Sequence, residues 1–144
     1  MRVLEAGRLA PSSGNRQPWH FIVVTDPKMR ERLRESYDRD WFVEAPVILV
    51  ACADPREAKP RWDREGYWKV DVAIAMQNMV LMATEEGLGT CWIAAFNEDV
   101  AKSILGIPSD IRVVAMTPLG YPDEEKGEVA DRKPADEIVH FDRW

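Results

Sequence analysis

Three short stretches hold the side chains best suited to binding or reaction. Residues 10–19 read APSSGNRQPW. Between Pro11 and Pro18 the chain sets Ser12, Ser13, Asn15 and Gln17, hydroxyl and amide groups that donate and accept hydrogen bonds without bulk. The stretch runs straight into the apolar WHFIVV. It reads as a polar cradle at the mouth of a strand, or as a helix-to-strand turn in which Ser and Asn cap backbone groups. Residues 87–96 read GLGTCWIAAF, a glycine break followed by a short strand that includes Ala94 and Ala95. Those glycines equally fit a helix C-cap and turn. They are no dinucleotide fingerprint, because the third Gly and the preceding strand are missing. Residues 130–134, ADRKP, carry Arg132 and Lys133. A guanidinium suits phosphate through paired hydrogen bonds; a solvated charge pair with Asp131 is the plainer reading. Ser12 or Ser13 with His20 would suggest a hydrolase, but neither Ser sits in a G-x-S-x-G elbow. Trp19 and His20 read as packing residues at the start of the strand.

The elements that position these groups follow from pattern. A chain of 144 residues suits one domain spanning residues 1–144, and a chain of this size buries roughly 70% of its unfolded surface. Apolar residues make up 46% and charged residues 31%, with a net charge of −6. That acidity argues against nucleic-acid and anionic-membrane partners. No apolar run approaches a membrane span, and no basic-then-apolar leader opens the chain, so the expected location is cytoplasmic. Cys52 and Cys91 lie in the apolar contexts VACAD and GTCWI; without a second pair for a metal, both read as buried thiols.

Val3, Leu4, Ala6, Leu9 and Ala10 fall on helical spacing, and Pro11 ends that helix. WHFIVVT is β-branched and aromatic, a buried strand. Asp26 before Pro27 is a helix start, with a carboxylate N-cap and Pro at the first position; that helix runs to about Tyr37. APVILVACA is a second apolar strand. Residues 54–68 form a polar loop, the expected lid or substrate wall. Residues 70–87 form a helix apolar on two sides. Val72, Met76, Met79 and Ala83 make one seam; Ile74 and Leu81 make another. Such a helix is the centre of a domain or half of a subunit interface. Asn97 caps a helix closed by Gly106, and residues 111–122 give a strand ending at a Pro/Gly turn. The charged tail closes on Ile138, Val139, Phe141 and Trp144 and is expected to dock, with another subunit as one candidate surface. Strands too closely spaced for regular crossovers favour an α+β fold.

APSSGNRQPWHFIVV, then GLGTCWIAAF, LGIP, VVAMTPLGYP and a tail bearing Lys and Arg, resemble the FMN-dependent nitroreductase family in order and distance, over almost the whole chain. The resemblance implies a nitroreductase-like fold: a mostly antiparallel sheet flanked by helices, a long helix at a homodimer interface, and a C-terminal tail reaching the partner. It implies that Pro11, Ser12, Ser13, Asn15 and Gln17 face an FMN held mainly by the partner subunit. By position it assigns the N–H groups of Ala94 and Ala95 to flavin N5 and nearby ring atoms, where larger members have Glu-Gly. Arg132, with Lys133 as second candidate, matches a tail Arg that pairs with the FMN phosphate.

The implied activity is NADH- or NADPH-dependent reduction of nitroaromatic, quinone or similar flat small-molecule acceptors. Hydride passes through flavin N5 in ping-pong order, with no side chain required as acid or base. Trp41, Trp62, Tyr67 and Trp68 are candidate walls of the slot. Two departures stand out. The family's opening basic Arg-Arg-Ser-x-Arg type segment is not found, and Asp38 falls near a family Asn. They keep open a flavin-binding or dimerisation module without turnover. Reductive dehalogenation and flavin breakdown, chemistries of other relatives on this scaffold, also stay open, although residues 54–68 are short for the lid such enzymes use.

Overall fold

The computed structural model describes residues 1–62, 66–124, 126–127 and 129–144. Helix α1 (Arg2–Arg8) leads through a 3-10 turn at Ser13–Asn15 into strand β1 (Trp19–Val24). Helices α2 (Pro27–Arg32) and α3 (Asp40–Glu44) precede β2 (Val47–Ala53). Helix α4 (Trp68–Glu85) is followed by β3 (Gly89–Thr90), α5 (Glu98–Leu105), β4 (Arg112–Gly120) and α6 (Ala135–Ile138). The strands form one antiparallel sheet in the order β1-β2-β4-β3.

The sheet is covered on both faces, which is why β2 reads as an unbroken apolar run. Successive side chains of a strand point to opposite faces. Leu49, Ala51 and Ala53 accordingly join Val72, Ala75, Met76, Met79 and Ala83 of α4 in one core. Ile48, Val50 and Cys52 join Leu33, Phe42, Ala101 and Ile104 in the other. The register of β4 shifts between Ala51 and Cys52: Ala51 pairs with Ala115, then Cys52 with Val113, leaving Val114 as the extra residue of a bulge. Helix α1 lies on α4 at Gly7, where a Cβ would stand 2.8 Å from Met79 Cγ.

The caps match the sequence reading. Asp26 accepts from the Met29 amide at 2.8 Å, Asn97 accepts from the Val100 amide at 3.1 Å, and Gly106 closes α5 at φ 67°. Other expectations need correction. Strand β1 is a sheet edge, so only Trp19 and Val24 are buried. Short α3 carries no sequence signal of its own; Arg30 Nη1 from α2 holds its end by donating to the carbonyls of Val43 (2.9 Å) and Ala45. Cys52 is buried, but Cys91 is exposed, because the chain leaves regular pairing after Thr90. Burial pushes the Cys52 thiol up to about 12. His20 is exposed as well, with Nε2 3.8 Å from a Glu57 carboxylate oxygen.

Candidate functional site

The stretch after α1 is a folded turn that leaves part of its polar inventory outward. Gly14, Asn15 and Gln17 all have positive φ, at 59°, 56° and 51°. Asn visits this region readily, whereas for Gln it costs roughly 1 kcal/mol. The Asn15 amide donates to the Ser12 carbonyl at 2.9 Å. The Gln17 amide donates to Ser12 Oγ at 2.9 Å, and Gln17 Nε2 donates to Asn15 O and Oδ1 at 3.1 and 3.2 Å. The capping account therefore holds for Ser12, whose hydroxyl accepts from a backbone amide, while the Asn15 side chain meets only the Gln17 side chain. Among the described residues, the Ser13 hydroxyl, Asn15 Nδ2 and Gln17 Oε1 have no partner.

One residue that holds this turn escaped the sequence reading. Asp71, in the first turn of α4, is buried, and its Oδ1 accepts from the Ser13 amide at 2.9 Å. Among the described residues its Oδ2 is buried without a partner. A half-answered buried carboxylate is costly, so the loop and the helix are tied at a point where simple packing would have placed an apolar side chain. The signal was present: an acid inside the apolar run VDVAIAM, on the inward side of the helix.

Ala94 and Ala95 follow a pinned segment. Ile93 exchanges backbone hydrogen bonds with Met116 at 2.9 Å in both directions, and the Cys91 amide donates to Thr117 Oγ1 at 3.0 Å. Beyond that anchor both alanines are exposed, and neither amide has a partner among the described residues. Arg132 and Lys133 are exposed on the tail. Arg132 Nη1 donates to the Asp131 carbonyl at 2.7 Å, and no ion pair with a carboxylate joins it among the described residues. Within one chain, no hydrogen bond or ion pair among the described residues joins the 11–17 loop, the Ala94–Ala95 segment and Arg132–Lys133.

The candidate wall residues divide. Trp41 stands edge-on to Tyr37 at 5.9 Å, and Trp62 is 93% exposed. Tyr67 and Trp68 are half-buried, with Arg61 over the Tyr67 ring and Lys69 and Arg112 over the Trp68 ring. Part of the expected lid, residues 63–65, lies outside the described residues. Neither Ser12 nor Ser13 bonds to His20. Among the described residues no cluster of three His, Cys, Asp or Glu could hold a metal, and no helix is long and apolar enough to cross a membrane.

The sequence model of the Nitroreductase family matches residues 1–38 and 35–121. The chain belongs to the nitroreductase family. It is 37% identical over 150 residues to an Archaeoglobus fulgidus protein assigned as an NADH dehydrogenase/NAD(P)H nitroreductase, covering 99% of this chain and 84% of the relative. A nitroreductase family protein from Clostridium difficile 630 superposes with a TM-score of 0.90 at 27% identity, covering 99% of this chain and 84% of that one. An FMN-dependent nitroreductase from Clostridium difficile R20291 gives 0.82 at 30% identity, covering 99% and 85%.

The residues present suit a flavin mononucleotide. The nitroreductase loop leaves small polar groups outward and is braced from below by Asp71. Ala94 and Ala95 are exposed and carry only methyl groups, and among the described residues their amides have no partner, which would suit the approach of a flat ring. Arg132 and Lys133 carry the kind of charge that a phosphate would require.

Proposed function

We propose that this nitroreductase is an FMN-dependent NAD(P)H oxidoreductase acting as a homodimer on flat acceptors such as nitroaromatics or quinones. The observation that carries the reading is the outward set of unpartnered polar groups on a turn that Asp71 holds in a left-handed backbone conformation. When bound, FMN supplies two-electron chemistry, accepting from a nicotinamide donor and giving to an acceptor in alternate half-reactions at one face, hence ping-pong order. The chain's part is to bind and orient. Ser13, Asn15 and Gln17 hydrogen-bond the polar portion of the cofactor, and Pro11 and Ser12 fix the turn that presents them. The Ala94 and Ala95 amides point donors at the atoms where negative charge develops, a fixed arrangement that costs no reorganisation during reaction. Arg132 and Lys133 neutralise the phosphate from the tail.

The homodimer reading rests on surfaces that one chain leaves uncovered. On α4, Val70, Ile74 and Leu81 are exposed; on the tail, Ile138, Val139, Phe141 and Trp144 are exposed. Strand β1 is an open edge of the sheet, a ready seat for an extended segment of a second copy. In such a dimer the groups that one chain keeps apart come from two chains.

The visible spectrum of the purified protein, recorded before and after adding FMN and then with NADH or NADPH under anaerobic conditions, tests this. A flavin band that bleaches on adding donor is expected. Protein that stays colourless with added FMN overturns the reading, and a flavin band that neither donor bleaches reduces the chain to a binding module.

A further inference from the structure

A polar concavity lies beside the motif loop, between it and the chain after β2. It encloses about 640 Å³ and is lined by Arg16, Gln17, Arg56, Glu57, Lys59 and neighbouring residues. In a chain of net charge −6, three cations around one hollow stand out. They are not equivalent. Arg56 is answered twice, by Asp54 and by Asp110, each at 2.5 Å; it is a fixed wall with little charge left to offer. Arg16 and Lys59 make no side-chain hydrogen bond or ion pair among the described residues. The Lys59 stem lies over the loop, and a Cβ on Gly14 would stand 2.9 Å from Lys59 Cδ. The one carboxylate in the lining, Glu57, sits near His20 at 3.8 Å.

We propose that this hollow is the phosphate subsite for the dinucleotide donor, with Arg16 and Lys59 as its cations. The proposal rests on the oxidoreductase reading above and adds where the far end of the donor is held. The nitroaromatic or quinone acceptors of that reading carry no obligatory charge, whereas a nicotinamide dinucleotide always brings a pyrophosphate, and NADPH a further 2′-phosphate. A donor that stacks on a flavin held against the loop must lay its phosphates to one side of that flavin. A guanidinium and an ammonium flanking an open, wet concavity suit such oxygens better than they suit an aromatic ring. The hollow also begins at Gln17, so a ligand reaching into it remains continuous with the loop.

The test uses the whole protein and the double variant Arg16→Gln/Lys59→Gln, with Lys59→Gln alone as a milder partner. Two probes are titrated calorimetrically: adenosine 2′,5′-bisphosphate for the 2′-phosphate and ADP-ribose for the pyrophosphate. Bound flavin and steady-state KM for NADPH and NADH are measured in parallel. The double variant is expected to keep its flavin, to weaken at least one probe by about tenfold, and to show the same rise in the matching KM. Higher salt should narrow the gap between parent and variant. Loss of adenosine 2′,5′-bisphosphate binding alone assigns the 2′-phosphate; loss of both assigns the pyrophosphate. Two results overturn the proposal: parent and variant binding both probes equally or not at all, or a folded variant that has lost its flavin, which would give the hollow to the cofactor's own phosphate. A colourless parent that still binds a probe through Arg16 and Lys59 would sink the flavin reading and leave the phosphate site standing.

Discussion

Helix α4 has two apolar faces with different fates. The inward face, Val72, Ala75, Met76, Met79 and Ala83, is fully buried between the sheet and α1. The outward face, Val70, Ile74 and Leu81, stands in solvent, Leu81 with 61% of its surface exposed. Both faces have the composition of a core, yet only one is a core within this chain. Burial per side chain is worth about 1.5–3 kcal/mol wherever a partner covers it, so the inward face stabilises the fold and the outward face stabilises only what binds there. The tail repeats the outward pattern, with Phe141 and Trp144 in solvent.

The contrast can be broken most forcefully from inside. Met76→Ala leaves a cavity beneath the sheet and should cost about 2–5 kcal/mol by chemical denaturation; a loss below 1 kcal/mol would mean that the inward face is not the packed core described. From outside, Ile74→Glu combined with Leu81→Glu should leave helical content and monomer stability nearly unchanged. Sedimentation should shift from dimer to monomer at micromolar concentration, and bound flavin should fall with it. A parent protein already monomeric at that concentration would show the outward face to be merely solvated.

Smaller effects come from two buried carboxylates at the ends of this architecture. Asp71→Ala removes the Ser13 hydrogen bond together with the orphaned oxygen. The two changes offset, and global stability should move by about 1 kcal/mol or less. Retention of flavin should nevertheless drop, because the turn loses its brace; unchanged flavin affinity would remove Asp71 from the site. Asp54, by contrast, is fully answered. Hydrogen bonds from Arg56 hold its carboxyl at about 2, well below the usual range. A depressed carboxyl contributes stability above its unfolded value, and that contribution fades as pH falls toward the folded one. Melting temperature should therefore fall more steeply between about pH 4 and pH 2 for the parent than for Asp54→Asn, and parallel curves would rule the pair out as a source of acid sensitivity.

Local chemistry made much of this molecule legible. Asp26-Pro27 started a helix, Asn97 and Gly106 bracketed another, and the runs at 19–24 and 47–53 became strands, because caps and β-branched runs act within a few residues of themselves. The sequence by itself also determined which loop carries the small polar groups and which helix has apolar residues to spare. Tertiary structure decided the rest. It made β1 an edge and so exposed His20, and it let Cys91 out of the core by ending β3 after two residues. It formed α3 through Arg30, 10 residues before that helix begins. It carried Asp71 beneath Ser13 across 58 positions and laid Lys59 over Gly14. Contacts of that range depend on which faces of the sheet each helix covers, and an inventory of side chains along the chain contains no record of that choice.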